Sequence, residues 1–326
     1  MRIGVLLCRL LAVVALALAL AAPAFASQQI DRNARNVKLA VNRQGQALLT
    51  YTNVYGKVRH VLVWGAINGR TPSRTVKQVR FRVDYSGGWG TYHRDVWKTF
   101  RNACRAYDGP KPLAWVVSAC KAPDGSYWAV QSWQVQLPDL GFMPWLAKQK
   151  TWDLHISHWR GPIARLEVWS NWIYSGRFQQ LFGRLSYFGK PVYGYGTTWA
   201  GAPTDGYGRL LYLDTHNSQY GGGWRRENSF VAHNPTGVWC YGFYTFDPMH
   251  GGYAHPPGYS GGQRGPGTGD SYRISVVGPG VSPDIMWQGA GLHRYDPGNP
   301  ADVQLEQAMN AQLDSILNGD KICRQH

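Results

Sequence analysis

The chain has 326 residues and a formal charge of +15, from 34 Lys and Arg against 19 Asp and Glu, and it is rich in aromatics, with 15 Trp and 19 Tyr. Its basic residues are dispersed, Arg225-Arg226 being the only adjacent pair, which argues against a specific nucleic-acid-binding motif. Such a charge draws a protein toward polyanions (wall polymers, acidic polysaccharides, lipid headgroups, extracellular nucleic acid) or serves solubility alone.

Taken in order, the chain opens with Arg2 and Arg9, an apolar run from Leu10 to Ala22, and Ala24-Phe25-Ala26 before Ser27. This pattern predicts a secretory signal peptide over residues 1–26, cleaved after Ala26. The apolar run is short for a bilayer span, and no later stretch is long enough, so no membrane span is expected after cleavage. Losing Arg2 and Arg9 lowers the charge to +13. The expected location is secreted or extracytoplasmic. Cys8 leaves with the leader, and Cys104, Cys120, Cys240 and Cys323 remain. An even count in an exported chain predicts disulfides. Three pairings are possible; the expected one joins Cys104 to Cys120, which would close a loop of about 15 residues, worth roughly 3 kcal/mol in the chain-entropy picture. Cys240 with Cys323 would then tie the C-terminal end to the core.

Alternating apolar and polar residues predict a hairpin over Val37 to Tyr51 around Gln44-Gly45, with strands at Val58 to Trp64 and Val76 to Asp84. Tyr85 to Gly90 reads as a glycine turn, Asp95 to Cys104 as a short helix, Tyr127 to Val135 as a strand, and Pro138 to Pro144 as a loop. The most strongly patterned stretch, Trp152 to Trp172, is expected to be a hairpin broken at Arg160-Gly161-Pro162. Period-two geometry puts Asp153, His155 and Ser157 on one face and Leu154, Ile156 and His158 on the other. Pairing across the hairpin would set His155 opposite Glu167 and Asp153 opposite Trp169.

Further on, Phe182 to Tyr187 and Val192 to Tyr195 predict a hairpin around Gly189-Lys190. Arg209 to Asp214 predicts a strand running into a polar loop at Asp214-Thr215-His216-Asn217. Val238 to Phe246 is aromatic and expected to be half buried, Tyr272 to Val277 predicts a last strand, and the Gly/Pro-rich stretch from Asp247 to Asp270 between them a surface loop. Asn299-Pro300 caps a helix whose apolar stripe is Val303, Leu305, Met309, Leu313, Ile316 and Leu317, ending at Gly319. The expected fold is therefore mainly β, with antiparallel sheets in a sandwich- or barrel-like arrangement, one short helix and one C-terminal α-helix. Residues 27–298 are expected to form one large domain, with the helix and tail of 299–326 packed on it. Tyr85-x-Gly-Gly-Trp89 recurs as Tyr220-x-Gly-Gly-Trp224, either a trace of duplication or a coincidence of composition.

Gly258-Tyr259-Ser260-Gly261-Gly262 fits the G-x-S-x-G pattern of a nucleophile elbow, but no strand precedes it and no helix follows, so composition accounts for it. His155 and His158 point to opposite sides of a strand, which disfavours a two-histidine metal site, and Asp247, His250 and His255 fit no trusted ligand spacing. No metal and no cofactor is expected. His155 with Glu167 and Asp153 forms a candidate acid/base group, because a neighbouring carboxylate raises and orients an imidazole. The ordinary alternative is a cross-strand ion pair. Glu167 and Glu227, alone or with Asp153 or Asp214, could supply the two carboxyls of glycoside hydrolysis. Trp89, Tyr92, Trp199, Tyr207, Tyr220 and Trp224 are candidates for a sugar-stacking platform, with Asp214 and His216 beside it, though large β proteins also use such rings as core filling.

The sequence thus leads to an exported β protein that binds a polysaccharide or another anionic envelope polymer through an aromatic-lined basic surface. The alternatives are an exported hydrolase using His155, Glu167 and Glu227 or Asp214, and a non-enzymatic envelope protein with a protein partner. Oligomeric state is left open.

Overall fold

A computed structural model describes residues 27–67, 80–111, 113–135, 151–173, 178–198, 202–218, 221–226, 229–233, 237–243, 269–280 and 282–318. The expected signal peptide, the Pro138–Pro144 loop, and the 247–268 stretch with the G-x-S-x-G pattern and His250 and His255 lie outside the described residues.

The first half of the chain builds two antiparallel sheets. Its strands are β1 (Ser27–Arg32), β2 (Arg35–Val41), β3 (Ala47–Thr52), β4 (Val58–Gly65), β5 (Phe81–Asp84), β6 (Arg105–Ala106), β7 (Val116–Lys121), β8 (Tyr127–Gln134) and β9 (Trp152–Trp159). Sheet I is the meander β2-β3-β4-β5, and sheet II has the order β1-β9-β8-β7-β6. Between β5 and β6 lie the one-turn helix α1 (Trp89–Tyr92) and a 3-10 turn (Val96–Thr99).

The second half adds β10 (Arg165–Ile173), β11 (Phe178–Tyr187), β12 (Lys190–Pro191), β13 (Gly196–Thr197), β14 (Pro203–Thr204) and β15 (Leu210–Ser218). It continues with β16 (Gly221–Arg226), β17 (Ser229–His233), β18 (Val238–Phe243), β19 (Ser271–Val277), β20 (Ile285–Ala290) and the helix α2 (Pro300–Leu317). Sheet III runs β13-β14-β15-β19-β20 with β16 beside β15, and sheet IV runs β10-β11-β18-β17 with β12 beside β11. The expected mainly antiparallel β fold with one C-terminal helix is what forms.

Four of the hairpins use one turn design. In Asn42–Gln46, Asn53–Lys57, Ala122–Ser126 and Asp205–Arg209 the first residue exchanges backbone hydrogen bonds with the fourth and fifth. The fourth is always glycine, Gly45, Gly56, Gly125 or Gly208, with φ between 73° and 82°. That is the three-residue loop with a left-handed glycine that suits strand twist. Asn42, Asn53 and Asp205 reinforce it by accepting two backbone N–H bonds each on their side-chain oxygens.

The sheets stack in the order I, II, III, IV, with α2 outside IV. One apolar core lies between sheets I and II, built from Val41, Leu49, Tyr51, Val61 and Val63 against Trp128, Val130, Leu154 and Ile156. Another lies between III and IV, where Leu211, Leu213, Ile274 and Val276 meet Val168, Leu181, Leu185 and Trp239. Leu313 and Leu317 of α2 pack on Phe182, Val238 and Cys240 of sheet IV. Asn299 caps the helix by accepting from the Ala301 N–H at 3.0 Å, Pro300 opens it, and Asn318 closes it in the left-handed region.

Between sheets II and III the layer is polar as well as aromatic. Gln131, fully buried, donates to the carbonyls of Ala114 (2.6 Å) and Asp284 (2.7 Å) and accepts from the Asp284 N–H (3.1 Å). The Asp284 carboxyl accepts from Trp133 Nε1 (3.1 Å) and the Gly278 N–H (2.9 Å). Asp214 pairs with Arg226 (3.0 Å) and Arg273 (3.4 Å), and Arg226 also donates to the Gln134 carbonyl. The Arg273 guanidinium lies between the Trp115 and Trp224 rings, 4.0 and 4.2 Å from their centroids, and Arg226 lies 3.7 Å above Tyr212. Trp115 bonds Ser275, so this cluster joins the two halves of the chain.

Several sequence-based expectations need correction. Trp152–Trp159 and Arg165–Ile173 are both strands, but they do not form a hairpin. β9 enters sheet II between β1 and β8, and β10 enters sheet IV beside β11. His155 therefore faces Gln29 and Gln131, Asp153 faces Arg32 and Trp133, and Glu167 faces Arg184. The connection through Gly161 crosses from one sandwich to the other instead of turning back. The helix expected over Asp95–Cys104 is only the 3-10 turn, because Asn102 and Ala103 bond the end of β2 in extended form. The polar residues 214–217 belong to β15, paired with β19 and β16, and do not form a loop. Only Lys190–Pro191 pairs as the return strand of the second hairpin. The two Gly-Gly-Trp segments differ in structure, one a turn leading into α1 and the other strand β16, which gives duplication no support.

Burial pushes the Asp284 carboxyl up to about 7, against a reference of 3.8. The folded state then binds a proton more tightly than the unfolded one. The stability that this contributes is complete below about pH 4 and is lost as pH rises through 7. Urea unfolding across that range should show this loss in the wild type. Asp284→Asn should flatten the profile there, at the expense of one of the two accepted bonds.

Candidate functional site

A concavity among the described residues lies at one end of sheet I. It is a cleft of about 910 Å³ between the β2–β3 turn and the 94–105 segment, floored in part by Pro123 of the β7–β8 turn. Arg43, Arg94, Arg101 and Arg105 line it together with the amides of Asn42, Gln44, Gln46 and Asn102, and among the described residues no carboxylate does. Among the described residues none of these four guanidiniums is ion-paired.

Each wall is held by specific bonds. Asn42 fixes the turn by accepting from the Gln44 and Gln46 N–H groups. Opposite, Asn102 accepts from the Val41 and Cys104 N–H groups (3.0 and 3.1 Å), and the Ala103 N–H bonds the Val41 carbonyl (2.7 Å). The expected disulfide joins Cys104 to Cys120 of β7, with Cα atoms 5.8 Å apart. Cys240 is disulfide-bonded too, and its expected partner Cys323 lies outside the described residues.

The 85–99 segment is folded over the outer face of sheet I, where Trp97 stacks on His60 with centroids 4.1 Å apart and Tyr92 meets Trp64. Gly87 and Gly88 (φ 66° and 112°) allow the approach, since a Cβ at Gly88 would lie 2.4 Å from Val96 Cγ2. Asp84 anchors the segment by accepting from the Ser86 N–H (2.9 Å) and the Thr91 N–H (3.0 Å). Burial pushes its carboxyl up, but these hydrogen bonds outweigh that and hold it below the usual carboxylate value.

Two of the expected aromatic candidates fall here. The Tyr92 hydroxyl accepts from Gln46 of the cleft wall at 2.8 Å, and Trp89, on the same helical turn, is 58 % exposed. Asp214, His216 and Trp224 come together elsewhere, in sheet III. Asp214 is buried between two arginines, and one Trp224 face is covered by Arg273. His216 Nδ1 lies 2.7 Å from the exposed Asp270, whose carboxyl this bond holds low. Tyr207 packs against the core of sheets III and IV. Trp199, Tyr220 and Glu227 lie outside the described residues.

The proposed acid/base group is not assembled. His155 is buried in the layer between sheets II and III, its Nδ1 3.2 Å from Ser27 Oγ, and burial lowers its pKa to about 3. Asp153, on the same face, is held by Arg32 (2.9 Å) and Gln29 (2.8 Å), while burial still lifts its carboxyl. Glu167 sits between Arg165 (2.9 Å) and Arg184 (2.6 Å) on sheet IV. The polar face of β9 does exist as its alternation indicates, but sheet III covers it.

One usable signal in the sequence concerns acids instead of bases. From Arg32 to Val83 the chain has no Asp or Glu and eleven Lys or Arg. That span covers sheet I up to the last residue of β5, where Asp84 is the one acid, so basic residues dominate the sheet beside the cleft. Comparison with protein-family models, curated proteins and solved structures finds no match. No helix among the described residues is long and apolar enough to cross a membrane.

Asp84→Ala should loosen the segment that carries Trp89, Tyr92 and Arg94, at about 1–2 kcal/mol of stability. Because the folded carboxyl is held low, its contribution is complete above the unfolded value of 3.8 and is lost as pH falls through the folded one. Unfolding curves of the variant and the wild type should therefore converge in acid.

Proposed function

We propose that this is an exported, non-catalytic protein that binds an anionic envelope or extracellular polysaccharide in the cleft at the end of sheet I. The observation that supports this most is the lining itself, four arginines and, among the described residues, no carboxylate. A guanidinium offers a planar fork to carboxylate, sulfate or phosphate groups, and an array of them suits a ligand whose charges repeat. The amides of Asn42, Gln44, Gln46 and Asn102 can bond hydroxyls. The Trp89 ring, exposed on the same helical turn as Tyr92, which bonds Gln46 of the cleft wall, offers a face for a pyranose. The disulfide and the hydrogen-bonded walls favour a cleft already shaped for its ligand, which limits the entropy lost on binding. The Cys104–Cys120 bond also fits an oxidising compartment.

The alternative of a hydrolase built on His155, Glu167 and Glu227 or Asp214 has less support, because the described members of that set are buried or ion-paired apart from one another.

Retention on cell-wall sacculi and on acidic polysaccharide resins, but not on neutral polysaccharide, is the expected result, with binding that weakens as salt is raised. Charge reversal at Arg101 and Arg105 (R101E/R105E) should reduce retention by about tenfold or more. Equal retention on neutral resin, or retention that survives the reversal, would overturn the assignment. Release of reducing sugar by the same samples would revive the hydrolase.

A further inference from the structure

The four hairpins that share one turn design differ at their second and third residues, the two that project from the tip. These are Arg43-Gln44, Val54-Tyr55, Pro123-Asp124 and Gly206-Tyr207. Only the Asn53–Lys57 turn places two large apolar side chains there. Val54 is 61 % exposed and Tyr55 82 %, and Val58 just beyond is 61 % exposed. The turn itself does not need them. Its geometry comes from Asn53, which accepts from the Tyr55 and Lys57 N–H groups, and from Gly56 at φ 74°. Turn tips ordinarily carry polar residues, Gly or Pro. Two such side chains held out in water gain nothing in folding, so they point to a contact outside the chain.

The surroundings say what kind of contact. Lys57 closes the turn, Arg59 follows on β4, and Arg35, whose Cα partner is Thr52, flanks it on β2; all three are exposed. They lie within the acid-free span from Arg32 to Val83. The carboxylate nearby is the half-buried Asp31 of sheet II, whose charge acts on Tyr51 in the core between sheets I and II. An apolar tip with a basic collar is complementary to the interface of an anionic bilayer, where a tyrosine ring sits at headgroup depth and cations meet phosphate.

We propose that the Asn53–Lys57 turn is a membrane-surface anchor, inserting Val54 and Tyr55 among the headgroups of an anionic bilayer with Lys57, Arg59 and Arg35 against the lipid phosphates. The turn and the arginine cleft lie at opposite ends of β3, six residues or about 20 Å apart. A molecule anchored this way holds its cleft away from the bilayer. The anchor does not depend on the cleft's having a ligand.

The test is sedimentation of the full chain with phosphatidylcholine vesicles, with and without phosphatidylglycerol. The wild type should sediment with the anionic vesicles, and V54S/Y55S should bind about tenfold more weakly with an unchanged melting temperature. The cleft variant R101E/R105E should sediment like the wild type. Brominated acyl chains should quench added emission in Tyr55→Trp, a readout that stands even if the double serine variant folds poorly. A wild type that stays in the supernatant, a double variant that sediments fully, or no added quenching would overturn the anchor. Loss of vesicle binding in the cleft variant alone would also overturn it, the lipid then being only a polyanion in the cleft.

Discussion

The structure depends on how the two sandwiches are joined. Sheets II and III meet through a layer where buried amides, carboxylates and guanidiniums are paired with one another. Gln131 and Asp284 bond in both directions across it, and Asp214 holds two arginines that in turn lie on aromatic rings. A buried polar group left unpaired costs more than its bond contributes, so such a layer has one arrangement in which every partner is met. Apolar surfaces of similar area could slide, whereas this one fixes the relative position of the two sandwiches. The consequence is a strand, β9, that is buried on both faces for different reasons. Leu154 and Ile156 face hydrocarbon, while Asp153, His155 and Ser157 face the polar layer.

The cleft follows a different logic. Its walls belong to sheet I and the 94–105 segment, on the outside of the stack, and short-range clamps hold them: Asn42 in its turn, Asn102 across to β2, Asp84 at the start of the segment, and the disulfide. None of these clamps uses an arginine. The basic side chains are thus left for solvent or ligand, while neutral amides and one buried carboxylate carry the structural role. A surface built this way keeps its shape while its charge changes partners.

Strand propensity and glycine placement made most of the β architecture legible. The alternation in Val37 to Val41 and the glycine at 45 define the first hairpin, and Asn299-Pro300 marks the start of α2 where it begins. What the alternation in Trp152 to Trp172 could not convey was partnership. Each strand is extended as its pattern requires, but pairing depends on where the chain goes after Gly161, and a three-residue break can either turn back or cross over. The candidate site suffered most from this. The conspicuous residues (His155, Glu167, Asp214) proved to be structural ions and hydrogen-bond partners, while the four arginines of the cleft are spread over 63 positions and look scattered in one dimension. The absence of acids from Arg32 to Val83 was the legible sign, and it is easily passed over because it is a pattern of missing residues.

By itself the sequence determined the local conformations: extended runs, left-handed glycines and a capped helix, all set by interactions within a few residues along the chain. Tertiary structure alone decided which strands share a sheet, which face of β9 is covered, and which arginines converge. These are set by contacts between residues from tens to more than a hundred positions apart, where packing geometry chooses among alternatives that local propensity leaves nearly equal.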